Sequence, residues 1–135
     1  MPRSIDPPPL SEAMLEIMNI VWDNDEVTVA KVWSVLSARR KVGRNSIQTM
    51  LSRLEERRWI THRAEGQTFF YREIRPRQTV LRQMVRRLVD TAFAGSADGL
   101  VVALLEDPNL SRQEAERIRK LISDAKAGGD REESS

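Results

Sequence analysis

The apolar residues of this chain recur at helical spacing through three successive stretches and then, after residue 58, at a period close to two. That switch leaves few folds open. Leu10, Met14, Ile17, Met18 and Val21 mark one face of a first helix, with Ser11 placed to cap it. Asp23-Asn24-Asp25-Glu26 breaks the helix, and a short extended piece is expected around Val27-Thr28. Val29, Val32, Trp33 and Leu36 mark a second helix that ends in Arg39-Arg40-Lys41, and Gly43 punctuates the turn. A third helix is expected from about Arg44 to Arg58, with Ile47, Met50, Leu51 and Leu54 as its buried stripe. Trp59 to Arg63 and Thr68 to Ile74 then read as two strands joined at Ala64-Glu65-Gly66-Gln67, a β-hairpin. Three helices and a hairpin, in that order, predict a winged helix-turn-helix, in which the second helix of the motif enters the major groove of DNA.

The remainder reads as helical. Pro76 opens a fourth helix in which Leu81, Met84, Val85, Leu88 and Ala92 keep helical spacing up to Gly95. A short apolar segment, Leu100 to Leu105, stops at Asp107-Pro108-Asn109. Ser111-Arg112-Gln113-Glu114 is a capping box that starts a last helix carrying Ala115, Ile118, Leu121, Ile122 and Ala125, with Gly128-Gly129 expected to end it. The fold class expected is therefore mainly α, a winged helix over residues 10–75 and a helical region over residues 76–127. Residues 1–9, with three consecutive prolines, and residues 128–135 are expected to be disordered. The helical region spans only about 50 residues, which is small for an independent core. A second copy of the chain is the simplest partner, so Leu81, Met84, Val85, Leu88, Leu100, Leu104, Ile118, Leu121 and Ile122 are the candidate dimerisation residues.

Composition excludes most other classes. The chain has no cysteine and one histidine, so thiolate chemistry is absent and a zinc site would lack suitable ligands. No cofactor or metal is expected. No serine, histidine and acid arrangement marks a nucleophile, and no glycine-rich loop marks a phosphate cradle, so an enzyme is not expected. No apolar run approaches a membrane span, and the start of the chain lacks the apolar segment of a signal peptide; a cytoplasmic protein is expected. The net charge of +2 is unevenly distributed: residues 31–63 carry nine basic and two acidic side chains, while residues 1–30 carry one and six. A local excess of this kind suits a polyanion.

The third helix concentrates the chemistry. Opposite its apolar stripe lie Asn45, Gln48, Thr49, Ser52 and Arg53, with Arg44 and Ser46 at the near end and no acid before Glu55. Short amides and hydroxyls reach base edges, and Gln or Asn pairs with adenine through two hydrogen bonds. A helix face that is merely solvated usually favours Glu and Lys. Lys41 before the helix, and Arg63 and Gln67 near the hairpin tip, are expected on the DNA backbone, where contacts position without specifying sequence. Lys31, Arg39, Arg40 and Arg72 belong to the same basic set. Trp22, Trp33, Trp59, Phe69 and Tyr71 read as core, and His62 as a structural residue with no partner. The alternative to a DNA reader is a winged helix used for protein or RNA contact, since fold alone does not fix function.

In its order of strings the chain resembles the BlaI/MecI family of bacterial repressors, which control penicillinase and methicillin-resistance genes. The likeness is carried by LSEAMLEIMNIVW, NSIQTMLSRLEERRWI, HRAEGQTFFY and LEDPNLSRQEAERIRKLI, from about Leu10 to Ile122. It implies a winged helix with a C-terminal dimerisation region, a homodimer on inverted-repeat operators in double-stranded DNA, and Asn45, Ser46, Gln48 and Thr49 facing that DNA. It also implies a regulatory protease as partner, since relatives that answer β-lactams are cut at an Asn-Phe bond in the short helix after the fourth. Here the corresponding pair is Ala103-Leu104. The cysteine-rich copper site of other relatives has no counterpart in a chain without cysteine.

Overall fold

The computed structural model describes the backbone of residues 10–134, six helices and one two-stranded antiparallel sheet. The loose arm expected over residues 1–9 lies outside the described residues. Helix α1 (Glu12–Trp22) starts where Ser11 accepts the Met14 N–H at 3.2 Å, and α2 (Val29–Ser37) starts where Thr28 accepts the Lys31 N–H at 3.1 Å. Each such cap satisfies an amide that the helix itself cannot, and is worth about 1 kcal/mol. Helix α3 (Arg44–Glu56) begins at Gly43 with no side-chain cap.

Helix α3 ends in a tight reversal. Arg58 adopts φ 63°, the Trp59 N–H donates to Leu54 O at 2.9 Å and the Arg58 N–H to Glu55 O at 3.0 Å. This pair of bonds across a left-handed residue satisfies the last carbonyls of the helix and turns the chain directly into the sheet. Strand β1 (Ile60–Glu65) pairs with β2 (Thr68–Glu73) in a register running from Ile60 opposite Glu73 to Glu65 opposite Thr68. The hairpin loop is thus shorter than the expected four residues, only Gly66 and Gln67. Gly66 at φ 61° takes the first position, which favours glycine because a Cβ is disfavoured there. Val27 adds a third partner as an isolated bridge to Tyr71, with N–H···O bonds of 2.9 and 2.7 Å in the two directions.

These elements share one core. Ile17, Met18 and Val21 of α1, Val32 and Leu36 of α2, and Ile47, Leu51 and Leu54 of α3 are fully buried, closed off by Ile60 and Tyr71 from the hairpin. Truncating such a side chain to alanine costs about 2–5 kcal/mol. Two aromatic expectations need correction. Trp33 is 37% exposed, because its indole turns to the α2–α3 connection and donates to Val42 O at 3.1 Å, and Phe69 is 40% exposed on the hairpin.

Helix α4 (Arg77–Ala92) follows Pro76, whose carbonyl accepts the Val80 N–H. The chain divides into two compact units between Met84 and Val85, inside α4 rather than at its start. In the second unit α4 is left through Ala94 and Gly95, both at positive φ. Helix α5 (Ala97–Leu105) is capped by Ser96, and α6 (Arg112–Ser134) starts at the expected capping box, where Ser111 accepts the Glu114 N–H at 3.0 Å. Gly128-Gly129 does not end α6, which runs on to Ser134; a glycine costs only about 1 kcal/mol inside a helix. Val89 is the buried apolar side chain of this unit among the described residues, and α5 contributes none. No single described helix is long and apolar enough to cross a membrane.

Candidate nucleic-acid interface

Burying Ile47, Leu51 and Leu54 turns the opposite face of α3 outward. Arg44, Asn45, Ser46, Gln48, Thr49, Ser52 and Arg53 are all exposed, as the periodicity requires. At the near end no side chain caps the helix and no acid occupies its first turn, so the first amides and the positive end of the helix dipole are offered to an anion. Thr49 donates its hydroxyl to Asn45 O at 3.0 Å, which fixes the side chain and leaves its oxygen to accept.

Two surface clefts flank this face. The first, about 420 Å³, lies between α3 and the hairpin and is lined by Thr28, Arg44, Asn45, Gln48, Gln67 and Thr68, among others. The second, about 410 Å³, lies on the other side and is lined by Asn45, Ser46, Thr49, Met50 and Arg53. Asn45 borders both, so it sits on the crest between them. Gln67 lines the first cleft opposite Arg44, Asn45 and Gln48 of α3. Ser52 is exposed but lines neither cleft, and Lys41 is exposed just before the helix. Among the described residues Lys41, Arg44 and Arg53 form no ion pair, and the Arg44 guanidinium lies 6.0 Å from the Trp33 ring.

Arg63 is placed differently from the expectation. Its guanidinium passes over the Phe70 ring at 4.6 Å and binds both oxygens of Glu26, at 2.7 and 2.9 Å, with Glu65 at 3.5 Å. Its charge is already answered by carboxylates, so the hairpin arginine ties the hairpin to the α1–α2 connection instead of standing free for phosphate. The same contact, chiefly the hydrogen bond from Arg63, holds the Glu26 carboxyl below the usual carboxylate range. Arg40 is likewise paired, with Glu16.

His62 has the partner that the sequence did not reveal. Its Nδ1 lies 2.5 Å from the Glu55 carboxylate of α3, and its ring stacks on Phe69 with centroids 4.1 Å apart. Beside it Tyr71 is 1% exposed. Burial pushes the Tyr71 hydroxyl above the ordinary tyrosine range and the Glu55 charge adds to this, while a hydrogen bond with the Gln48 side chain acts the other way. Hairpin and helix are therefore joined through polar contacts next to the cleft. Glu26 meets Arg63 from 37 positions away and Glu55 meets His62 from seven away across the helix-to-strand reversal, and no helical or strand periodicity announces either contact. Among the described residues no cluster of His, Cys, Asp and Glu could hold a metal ion.

Comparison with known proteins places this sequence in a family. Residues 10–124 match the family described as Penicillinase repressor. The chain is 25% identical to the penicillinase repressor of Bacillus licheniformis over 119 residues, covering 88% of this chain and 93% of that one. It is 26% identical to the transcriptional regulator BlaI of Mycobacterium tuberculosis (strain CDC 1551 / Oshkosh) over 114 residues, covering 83% and 81%. Among solved structures, that of the monomeric Bacillus licheniformis BlaI in complex with the blaP half-operator aligns with 54% of this chain and 89% of that one, at 30% identity and a TM-score of 0.47. With a winged helix at its N-terminal end and a family match over most of its length, the chain belongs to the penicillinase repressor family.

Proposed function

We propose that this protein is a sequence-specific DNA-binding repressor that acts as a homodimer on inverted-repeat operators. The observation that carries the reading is the outward face of α3, free of acid from Arg44 to Arg53 and bordered on both sides by clefts. In this reading Asn45, Gln48 and Thr49 meet base edges, and Arg44, Ser46, Ser52, Arg53, Lys41 and Gln67 meet the backbone. Arg63 holds the hairpin in place.

The homodimer is supported by the apolar side chains that one copy leaves in water. Leu81, Val85, Leu88, Leu104, Leu121 and Ile122 are each at least 37% exposed, and Met84, Leu100 and Ile118 are half-buried. Val102, half exposed on α5, joins this set although its position in the sequence did not single it out. Two-fold pairing buries such side chains and presents two recognition helices about one turn of DNA apart. A regulatory protease has no family cleavage pair to act on in α5, where Ala103-Leu104 stands. The test is selection of bound duplexes from a random-sequence pool by the purified protein: an inverted repeat should emerge. Enrichment of no sequence, or equal binding to RNA, would overturn the proposal.

A further inference from the structure

We infer that a clasp formed by Trp22, Asp23 and Arg77 sets which spacing between operator half-sites the protein accepts, an inference that rests on the dimeric repressor proposed above. The clasp lies where α4 leaves the DNA-binding unit. After β2 the Ile74 N–H donates to Trp59 O at 2.9 Å, and the Trp22 indole N–H donates to Arg75 O at 2.9 Å, so the approach to α4 is held on two sides. Pro76 then fixes one backbone angle. The Arg77 guanidinium lies 5.4 Å from the Trp22 ring centroid and donates to the Asp23 carboxylate at 2.6 Å and to Asn19 O at 3.3 Å. A cation is thereby bound at the C-terminal end of α1, where the helix dipole favours it. One turn further on Val80 is 2% exposed in the core, and Met84 packs against the same core.

These contacts exceed what a mere connection between two functions requires. A linker rich in Gly and Ser lets two readers sample many separations, whereas a helix bolted at its root allows few. The first of the apolar side chains proposed to pair, Leu81, lies in the same unit as the clasp and one residue after the buried Val80. The clasp therefore fixes the direction of the first turn of α4, and with it Leu81, relative to α3 within the same unit. When two half-site contacts are joined stiffly, the effective concentration of the second is high at one geometry and falls steeply at others. Loosening the root spreads the same binding over several spacings and lowers the peak.

The experiment uses the full chain and duplexes carrying two copies of the half-site recovered by selection from a random pool, separated by spacers of different length, with a single half-site duplex as reference. The native protein should favour one spacing by about tenfold or more over spacers one or two base pairs different. Arg77→Met, which keeps the stem but removes the charge and both hydrogen bonds, should flatten that preference to about threefold or less, with the single half-site affinity unchanged. Trp22→Phe, which keeps the aromatic packing but removes the N–H, should flatten it in part, and Arg77→Lys should restore some of it, since lysine supplies charge without the planar fork. A spacing profile as steep in Arg77→Met as in the native protein overturns the inference, and so does an equal loss on the single half-site, which would make the clasp a support of the reading head alone. If the native protein itself binds two half-sites no tighter than one, the dimeric reading fails, a result separate from either.

Discussion

The guanidinium of Arg63 reaches across the Phe70 ring to hold both carboxylate oxygens of Glu26, residues 37 positions apart in sequence. This contact and the Val27–Tyr71 bridge tie the same piece of the α1–α2 connection to the hairpin, one through side chains and one through backbone. On Glu26→Gln the ion pair is lost while the bridge remains. Amide exchange in the hairpin should quicken at Gly66 to Phe69, and global stability should change little, since exposed ion pairs contribute weakly. The acid dependence has a defined sign. Glu26 is held below its ordinary carboxylate range by Arg63, so the contact contributes fully above that range and is lost as pH falls through the lowered value. Hairpin protection followed by NMR should fall over that acid window in the native protein and lack that step in Glu26→Gln; identical pH profiles would show that the pair does not hold the hairpin.

Base reading and backbone contact separate by substitution. Gln48→Ala and Asn45→Ala should weaken binding to the selected operator by about 1–3 kcal/mol each for a lost bidentate contact, and binding to random duplex much less. Lys41→Ala should weaken both alike. Fluorescence anisotropy with the two duplexes measures the difference, and an equal loss for Gln48→Ala on both would move that side chain from bases to backbone.

On the dimer proposed above, Lys41, Arg44 and Arg53, which form no ion pair among the described residues, would supply the charge for a counterion-dependent interaction. If a dimer neutralises about six to ten phosphates, operator affinity should drop by roughly 10³–10⁵ between 50 and 200 mM salt. A titration at several salt concentrations gives the slope directly, and a flat response would remove DNA from the α3 face.

Leu121 is 67% exposed in one copy, so a charge there costs the isolated fold little. Leu121→Asp should nevertheless turn a dimer into a monomer by sedimentation, because two desolvated carboxylates would face each other or apolar neighbours across the pairing surface. Its winged-helix unit, which has its own buried core, should stay folded by NMR, and its operator affinity should fall to that of a single half-site. A variant that remains dimeric would put the interface elsewhere.

The elements were legible where the side chains repeat. Stripes such as Ile47, Leu51 and Leu54 state which face of α3 is buried and therefore which is offered outward. Contacts between distant segments were not legible. Arg63 reads in sequence as one more cation of a basic stretch, and only the folding of the hairpin against the α1–α2 connection brings Glu26 beneath it. His62 lacks a local partner for the same reason, since Glu55 comes from the preceding helix across the turn at Arg58. Gly128-Gly129 misleads as a stop because a helix tolerates a glycine pair at modest cost when its neighbours favour it.

The bridge between Val27 and Tyr71 also orders events in time. Helices α1 to α3 close locally, within about a microsecond, and a hairpin with a two-residue loop closes in about 1–10 μs. The bridge must instead bring together segments separated by two helices and half the hairpin, and the entropy of closing that loop falls due before its two hydrogen bonds form. We therefore expect hairpin docking to come late in folding and its loss to come early in unfolding, an order that hydrogen-exchange protection at Val27 and Tyr71 would check. The cleft between α3 and the hairpin, lined by Asn45 and Gln48 on one side and Gln67 and Thr68 on the other, is complete only after that last step, so on the reading proposed above a nascent chain whose helices have already formed would still lack half of that cleft.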